Sequence, residues 1–372
     1  MIFGIPVEIR NHENRVGATP ALVDALVKRE HTVFVERGAG AKSMFDDIDF
    51  ENAGATIVPS PEKLYGQSEY ILKIRAPKPV EYELIEPHHT LFAFFQFFNY
   101  PEMVRALLGR GANCYGFELY RVGHFSRPIL DADRAIAGQL AIQQGAYYLQ
   151  RHHGGRGAFI GRSQGTASAS VMVFGASAAG LAAAQMAADS GAKVTLVEVD
   201  ESLLQIAKHN LPDRVRLCMF SNEMLRSEFP KTDLVVFAYQ RVEMAKPPKL
   251  EEQSVGFLPR GAVIIDLDIE YDGGALVTSR PTKIDNPTFV QNEVIHFCVP
   301  NLAGTVPQAS SIAHSEALKP LIFKVAENGL LSTLKNEPSF RSGLVIYEGQ
   351  IANAQLAENL STPFFDVAEA SE

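Results

Sequence analysis

The stretch from Val171 to Glu198 constrains the fold of this chain more than any other. A short apolar run is followed by a turn of small residues, an alanine-rich run that extends to Ser190, a second apolar run and an acidic residue. Short apolar runs are typical of buried strands, and the alanine-rich run is typical of a helix. The pattern predicts a strand, a tight turn, a helix and a second strand that ends at a carboxylate.

Such a unit is typical of a dinucleotide-binding site. The turn brings backbone amides and the positive end of the helix towards a pyrophosphate, and Glu198, 18 residues after Gly180, is placed to accept hydrogen bonds from a ribose diol. The alternative is an ordinary βαβ unit whose small residues only permit close packing of helix on sheet. We interpret the stretch as a dinucleotide site, with the phosphates over Gly175, Ala176, Ser177, Ala178, Ala179 and Gly180.

Ser177 stands where this kind of turn usually has a glycine. Its β-carbon would hold the backbone slightly away from the phosphates, although its hydroxyl can donate a hydrogen bond to them. Glu198 is followed by Asp200 and by no nearby arginine. Because two carboxylates would repel a 2′-phosphate, we expect NAD as the cofactor in preference to NADP.

Length and composition restrict the class of protein. The chain has 372 residues, which exceeds one ordinary hydrophobic core and suggests two domains. Its net charge of -9 provides no basic surface for nucleic acid or an anionic membrane. The three cysteines lie far apart without metal-ligand spacing, so we expect buried thiols and no metal site. With no signal-peptide pattern and no apolar run of about 18 residues, the sequence predicts a cytoplasmic protein.

Strand and helix patterns alternate along most of the chain, as in α/β proteins. The tail is predicted to be mainly helical and to pack back on the first domain. Helices are predicted at Ala21–Lys28, Pro101–Leu108, Ala132–Leu149 and Ala309–Ala326. Strands are predicted at Ile2–Ile5, Thr32–Val35, Thr56–Val58, Tyr70–Ile74, Thr90–Phe95, Val171–Phe174, Val194–Val197, Val215–Cys218, Leu234–Phe237, Val263–Asp266 and Val294–Val299.

Several blocks outside the turn are specific to one family. They are residues 4–20 (GIPVEIRNHENRVGATP), 71–77 (ILKIRAP), 154–157 (GGRG), 245–250 (AKPPKL), 279–282 (SRPT) and 299–301 (VPN). Together they resemble the alanine dehydrogenase and pyridine nucleotide transhydrogenase family over essentially the whole chain. The resemblance implies a discontinuous, flavodoxin-like α/β catalytic domain (residues 1–130 and 305–372), a central, doubly wound Rossmann domain (residues 131–304), and a homo-oligomer, either a hexamer or a dimer.

The resemblance also implies roles for individual residues. An arginine in the opening block binds the substrate carboxylate in alanine dehydrogenases, and Arg15 matches it. Arg75 stands where the family has a lysine that hydrogen-bonds the keto or imine group. Gln96 stands where the family has a histidine that acts as general acid and base. The family's aspartate before a double glycine corresponds to a longer stretch here, in which Glu270 or Asp272 takes that role.

These substitutions disfavour simple amination of pyruvate. Glutamine cannot carry a proton near neutral pH, whereas histidine titrates there. Arg15 and Arg75 together are suited to a second acidic group, so we expect an oxo-dicarboxylate or an opine-like imine as substrate. The alternative for Arg75 is a salt bridge at a strand edge. Glu270 and Asp272 are the first candidates to move the proton, because an apolar, closed site raises the pKa of a carboxyl.

Further residues are expected at the nucleotide. Arg134 is expected either to contact a phosphate or to be an exposed helix charge. Ala238 and Tyr239 follow a Rossmann strand at the nicotinamide end, where Tyr239 would stack on the ring or narrow the pocket. By the resemblance, Leu267 and Asn301 complete the cofactor site.

Two functions are compatible with these residues. The first is an NAD-dependent oxidoreductase of the alanine dehydrogenase type, which transfers hydride between NAD(H) and an amino acid or its 2-oxo acid or imine, with a substrate other than alanine. The second is an NAD(H)-binding protein without independent dehydrogenase activity, similar to the NAD-binding component of transhydrogenase or to a redox sensor. We expect an amino acid or 2-oxo acid as the small-molecule substrate, and the net charge argues against nucleic acid and membrane as partners. A transhydrogenase component would need membrane and NADP-binding partners that this chain does not contain, which makes that version of the second function the weaker one.

Overall fold

The computed structural model describes residues 1–239 and 249–369, and the structural statements below refer to these residues. The chain divides into two compact units, Met1–Asp133 together with Gly304–Glu372, and Arg134–Ala303. None of the described helices has the length and hydropathy needed to cross a membrane.

The first unit begins with six strands that alternate with helices. The prolines at the starts of α1, α3 and α4 suit the first helical turn, where a backbone N–H has no intrahelical partner. The elements are β1 (Ile2–Ile5), α1 (Pro20–Val27), β2 (Thr32–Glu36), α2 (Asp47–Asn52), β3 (Thr56–Val58), α3 (Pro61–Tyr65), β4 (Tyr70–Arg75), β5 (Thr90–Phe94), α4 (Pro101–Arg110), β6 (Asn113–Gly116) and α5 (Pro128–Tyr148), which contains the boundary between the units.

The second unit forms a seven-stranded sheet in the order β12-β13-β11-β10-β7-β8-β9, in which only β12 is antiparallel. Its inner strands are almost continuous apolar runs, as expected where helices cover both faces of a parallel sheet, whereas the two edge strands are partly exposed. The elements are β7 (Ser170–Phe174), α6 (Ala178–Asp189), β8 (Lys193–Glu198), α7 (Glu201–Asn210), β9 (Arg216–Met219), α8 (Asn222–Glu228), β10 (Leu234–Phe237), α9 (Glu252–Val255), β11 (Val263–Asp266), α10 (Ile269–Asp272), β12 (Thr288–Gln291) and β13 (Val294–Phe297).

The tail completes the first unit and adds two strands to its sheet. β14 pairs antiparallel with β6, and β15 pairs antiparallel with β14, so the eight strands lie in the order β15-β14-β6-β5-β4-β1-β2-β3. The elements are α11 (Pro307–Asn328), α12 (Leu330–Asn336), α13 (Pro338–Arg341), β14 (Leu344–Tyr347), β15 (Gln350–Ile351) and α14 (Ala354–Leu360).

The two-domain α/β class is confirmed, but the order of the first sheet is not that of flavodoxin. Its six parallel strands follow the order 3-2-1-4-5-6, whereas flavodoxin has 2-1-3-4-5. A sequence pattern locates a strand without showing to which side of the sheet each crossover leads. The tail also differs from the mainly helical prediction, because it contributes β14 and β15.

Both sheets therefore reverse their strand order once, between β1 and β4 and between β7 and β10. Ligands of open α/β sheets bind at such switch points, beside the carboxyl ends of the strands. Apart from Arg134, which lies in α5, the predicted site residues lie at the carboxyl ends of these strands and their neighbours or in the segments that follow them.

Candidate functional site

The turn between β7 and α6 packs closely against the backbone at the end of β10. Gly175 has a φ of 100°, which favours glycine, and its N–H donates to the carbonyl oxygen of Val197 at 2.8 Å. A β-carbon at Gly175 would collide with the backbone of Ala238, and one at Gly180 would collide with the carbonyl oxygen of Gly175. Both glycines are therefore required by the packing of the turn.

Ser177 has a different role from the one expected. It is the N-cap of α6: its hydroxyl accepts a hydrogen bond from the N–H of Gly180 at 3.3 Å and donates one to the carbonyl oxygen of Ala238 at 2.6 Å. The residue is buried, so the hydroxyl is directed towards the end of β10 instead of a phosphate. It joins the turn to the neighbouring strand.

Glu198 lies at the end of β8 and is also buried. Its carboxylate accepts hydrogen bonds from the N–H groups of Ala176 at 2.6 Å, Val199 at 2.6 Å and Asp200 at 3.3 Å. Burial raises the pKa of Glu198, although these three bonds oppose the shift. The N–H of Ala176, expected to face the pyrophosphate, is thus donated to Glu198.

These residues fit a bound NAD. The N-terminus of α6, which begins at Ala178 and Ala179, provides the backbone N–H groups and the positive helix end that bind phosphates. A carboxylate offers about four acceptor positions, of which Glu198 uses three, so one position remains for a ribose hydroxyl.

Arg134 is not the exposed helix charge considered as its alternative, because its side chain is only 15% exposed, and the phosphate contact stays a prediction. Its Nη2 donates to the carbonyl oxygen of Tyr239 at 2.6 Å and lies 3.5 Å from Oδ1 of Asp268, whose Oδ2 accepts from the N–H of Tyr239 at 3.1 Å. The arginine therefore holds the chain at the end of β10. The ring of Tyr239 is 2% exposed and packs 6.2 Å from that of Phe174, inside the core and not at an open face.

The other predicted residues of this unit lie after β10, β11 and β13. Asn301 has a φ of 56°, and its N–H donates to Oε2 of Glu270 in α10 at 3.2 Å, so the structure brings these two residues together. The N–H of Leu267 donates to the carbonyl oxygen of Phe237 at 3.0 Å. Asp272 is the last residue of α10, and its side chain lies outside the described part of the chain.

In the first unit, Arg15 forms the centre of a buried ionic group. Its Nε and Nη2 donate to the two carboxylate oxygens of Glu13 at 2.7 and 2.6 Å, and its Nη1 donates to Asp133 at 2.6 Å. Although burial acts in the opposite direction, Asp133 and Glu13 raise the pKa of Arg15. The guanidinium therefore stays charged inside the protein.

Arg75 joins the same group from the end of β4. Its Nε lies 3.2 Å from Oε2 of Glu13, which is the salt bridge considered as its alternative. Burial would raise the pKa of Glu13, but Arg15 and Arg75 outweigh it and lower the value to about 2. With Asp133 included, two arginines face two carboxylates, so these four side chains carry no net charge. The expectation that the arginines select a second acidic group loses its support.

Gln96 follows β5 with a φ of 55°, in the left-handed region that is uncommon for glutamine. Its N–H donates to Oε1 of Glu118 at 2.6 Å, and the N–H of Phe95 donates to Oε2 at 3.2 Å. Burial raises the pKa of Glu118 to about 7, despite these hydrogen bonds and the charge of Arg75. A buried carboxyl that titrates near neutrality thus lies beside the position of the missing histidine.

Sequence reasoning missed Glu118 because β6, the strand before it, carries a weak pattern. The available signal was positional: Glu118 follows a strand and lies at the same sheet edge as Arg75 and Gln96. The described residues contain no group of three or more His, Cys, Asp or Glu side chains able to hold a metal ion.

The chain is similar to known proteins over almost its whole length. The N-terminal domain model of the Alanine dehydrogenase/PNT family matches residues 4–130, and the C-terminal domain model matches residues 141–354. The chain belongs to this family. Within it, the chain is 35% identical to the alanine dehydrogenase of Mycolicibacterium smegmatis over 99% of both proteins. It is 33% identical to alanine dehydrogenase 2 of Staphylococcus aureus, over 100% of this chain and 99% of that protein.

Solved structures agree with this membership of the alanine dehydrogenase/PNT family. An L-alanine dehydrogenase superposes with a TM-score of 0.91 at 30% identity, covering 97% of this chain and 99% of the other. The transhydrogenase from Sinorhizobium meliloti, with a TM-score of 0.81 at 21% identity over 94% and 100% of the chains, shows the same fold. Members of the family are NAD(H)-dependent oxidoreductases, so the predicted family, enzyme class and NAD cofactor are confirmed.

Proposed function

We propose that this chain is an NAD-dependent dehydrogenase that interconverts an amino acid with its 2-oxo acid or imine, and that its preferred substrate is not alanine. The observation that carries the proposal is the buried carboxyl of Glu118, hydrogen-bonded to the backbone of Gln96. It supplies a group that can carry a proton at neutral pH where glutamine cannot.

The proposed roles follow from position and charge. Arg15 and Arg75 bind the carboxylate and the keto or imine group of the substrate, and Glu13 holds both arginines in place. When bound, NAD(H) supplies the exchange of hydride with the substrate carbon. Glu118 moves the proton that accompanies formation or loss of the keto or imine group, a role first assigned to Glu270 and Asp272. Of those two residues, Glu270 accepts a hydrogen bond from the N–H of Asn301, and its role in proton transfer stays a prediction.

Arg75 and Gln96, which stand where the family has lysine and histidine, support a substrate other than alanine. Arginine is bulkier than lysine and has a planar fork of donors, and glutamine offers an amide in place of an imidazole. Both changes alter the shape and the hydrogen-bonding pattern met by a small 2-oxo acid. Lys73 does not replace the missing lysine, because its buried ammonium lies 2.9 Å from Glu81.

The test is to restore the family's lysine and histidine and to measure whether the substrate preference shifts towards pyruvate. Absorbance at about 340 nm reports NADH in reactions with ammonia and a panel of 2-oxo acids, and in the reverse direction with NAD and amino acids. We expect turnover with at least one substrate other than pyruvate or alanine. The double variant R75K/Q96H should raise kcat/KM for pyruvate relative to that substrate by about tenfold or more.

The matched control is R75K/Q96N, which restores the lysine without an imidazole and should not gain pyruvate activity. NADH affinity should be the same in all three proteins, because the nucleotide turn is unchanged. Tight NADH binding without turnover on any substrate would instead indicate a nucleotide-binding protein or a redox sensor.

A further inference from the structure

His314 is a buried histidine that has no role in the site described above. It lies in α11, is 1% exposed, and neither of its ring nitrogens has a hydrogen-bond partner among the described residues. A buried donor without a partner costs free energy, and a side chain without polar atoms would avoid this cost. An unpartnered imidazole does not by itself indicate a function, since His296 shares this property, so the surroundings of His314 have to decide its role.

The surroundings of α11 place His314 beside the ionic group. Ser311 and Ser315, which share one face of the helix, accept hydrogen bonds from the N–H groups of Val16 at 3.1 Å and Thr19 at 3.0 Å. This face therefore packs against the segment that carries Arg15, and His314 belongs to it.

The other side of the imidazole meets two strand ends. Its ring centroid lies 5.9 Å from that of Phe94, the last residue of β5, and 5.1 Å from that of Phe117, which follows β6. Gln96 and Glu118 lie close to these phenylalanines in the chain. His314 is thus enclosed by the three segments that carry the proposed substrate-binding residues.

The imidazole is neutral in this environment. Burial and the charge of Arg15 lower the pKa of His314 to about 3, and Glu13 opposes the shift. A neutral imidazole donates a hydrogen bond from one nitrogen without adding charge, and enzymes use neutral imidazoles in this way to polarise a substrate oxygen.

We propose that His314 hydrogen-bonds the bound 2-oxo acid, by donating its ring N–H to a substrate oxygen held near Arg15. The inference rests on the proposed function and adds a substrate-binding residue to it. His314 orients and polarises the substrate as a neutral donor, while the carboxyl of Glu118 moves the proton. Polarisation of the substrate and transfer of the proton are therefore carried out by different residues. In a site with one titrating histidine, that histidine performs both.

The principal variant is H314F, because phenylalanine keeps a ring beside Phe94 and Phe117 and removes both nitrogens. His296 provides the matched control: it is equally buried, its nitrogens also have no described partner, and its ring stacks on Phe289 at 4.8 Å in the second unit. H296F should therefore change packing in the same way without affecting the substrate.

Three quantities are measured: Kd for oxamate, KM for the preferred 2-oxo acid, and Kd for NADH. Oxamate is an analogue of 2-oxo acids that is not reduced, and its Kd is measured with NADH present. In H314F we expect Kd for oxamate and KM to rise by about tenfold or more, with Kd for NADH within about twofold of the wild type. In H296F all three should stay within about twofold. H314Q, which keeps an N–H donor, should recover part of the loss.

An H314F protein that binds oxamate as tightly as the wild type would overturn the role of His314 and leave the proposed function intact. A wild-type protein that binds NADH but neither binds oxamate nor turns over any substrate would overturn the proposed function itself. If H314F does not fold, H314L and H314Q serve instead, and equal loss of oxamate binding in both would contradict donation by the side chain.

Discussion

The substitution E118Q tests the central assignment through the dependence of stability on pH. Burial raises the pKa of Glu118 from 4.5 to about 7, so between these values the folded protein holds a proton that the unfolded chain has released. Stability from this group is therefore fully present below pH 4.5 and is lost as pH rises through 7. At about 1.4 kcal/mol per pKa unit, the loss amounts to about 3 kcal/mol.

The measurement is urea unfolding of the wild type and E118Q at several pH values and one fixed protein concentration. Far-UV circular dichroism is the suitable probe, because the chain contains no tryptophan. The free energy of unfolding of the wild type, minus that of E118Q, should fall by about 3 kcal/mol between pH 4.5 and pH 8, mostly below pH 7.5. Contributions from other buried carboxyls are common to both proteins and cancel.

E36Q is the control for this experiment. Glu36 is a half-buried carboxylate at the end of β2 that accepts a hydrogen bond from the N–H of Val7 at 2.8 Å, and burial raises its pKa. Its replacement should leave kcat unchanged, whereas E118Q should lose a factor of about 100 or more. Parallel stability curves for the wild type and E118Q, or full activity in E118Q, would refute a protonated Glu118 near neutral pH.

Three shorter predictions follow from other contacts. G180A should weaken NADH binding severely and destabilise the protein by about 1–3 kcal/mol, because its β-carbon would collide with the carbonyl oxygen of Gly175; NADH titration and urea unfolding measure this. E13Q should cost about 3–5 kcal/mol at pH 7, since it leaves buried guanidinium groups uncompensated. That cost should shrink as pH falls from 4.5 towards 2, where Glu13 itself takes up a proton. R134M should destabilise the protein but change Kd for NADH by less than about threefold, because this arginine binds the backbone of Tyr239; a larger loss that depends on salt would indicate a phosphate contact.

The nucleotide site could be predicted from the sequence because its parts are close in the chain. Gly175, Gly180 and Glu198 fall within one strand-helix-strand unit, so their spacing carries the geometry. The orientation of single groups could not be predicted in this way. Ser177 donates to Ala238, 61 residues away, and this contact depends on the pairing of β7 with β10.

The substrate side was only partly predictable, because its members come from distant segments. Arg15, Arg75 and Gln96 were found through family positions. Glu118 follows a strand with a weak pattern, and His314 comes from α11, nearly 300 residues after Arg15. No spacing within the sequence relates such residues before the sheet order is known.

The hairpins β12-β13 and β14-β15, which the sequence analysis did not predict, had a local signal in the sequence. Glu348 and Gly349 have φ values of 47° and 73°, and Asn292 and Glu293 have values of 51° and 59°. Positive φ at both central residues is typical of type I′ turns, which join antiparallel strands through two residues. Short apolar segments flank both pairs, so each could have been read as a hairpin.

The charge balance around Arg15 leads to a last prediction about the substrate. Arg15 and Arg75 are compensated by Glu13 and Asp133, and ionisation of Glu118 above its pKa of about 7 adds a negative charge beside them. A second carboxylate on the substrate would then be repelled. The ratio of kcat/KM for oxaloacetate to that for pyruvate should fall by about tenfold or more as pH rises from 6 to 8. At an effective dielectric constant of about 20, a unit charge about 12 Å away contributes about 1.4 kcal/mol, and a nearer charge contributes more.

In E118Q this ratio should be independent of pH over the same range, because no group beside the substrate changes charge. The comparison uses a ratio so that proton transfer, which affects both substrates alike, cancels. A ratio that falls equally in E118Q would assign the repulsion to another group. A ratio that rises with pH would show that positive charge dominates the site, which would restore the argument for a dicarboxylate substrate held by both arginines.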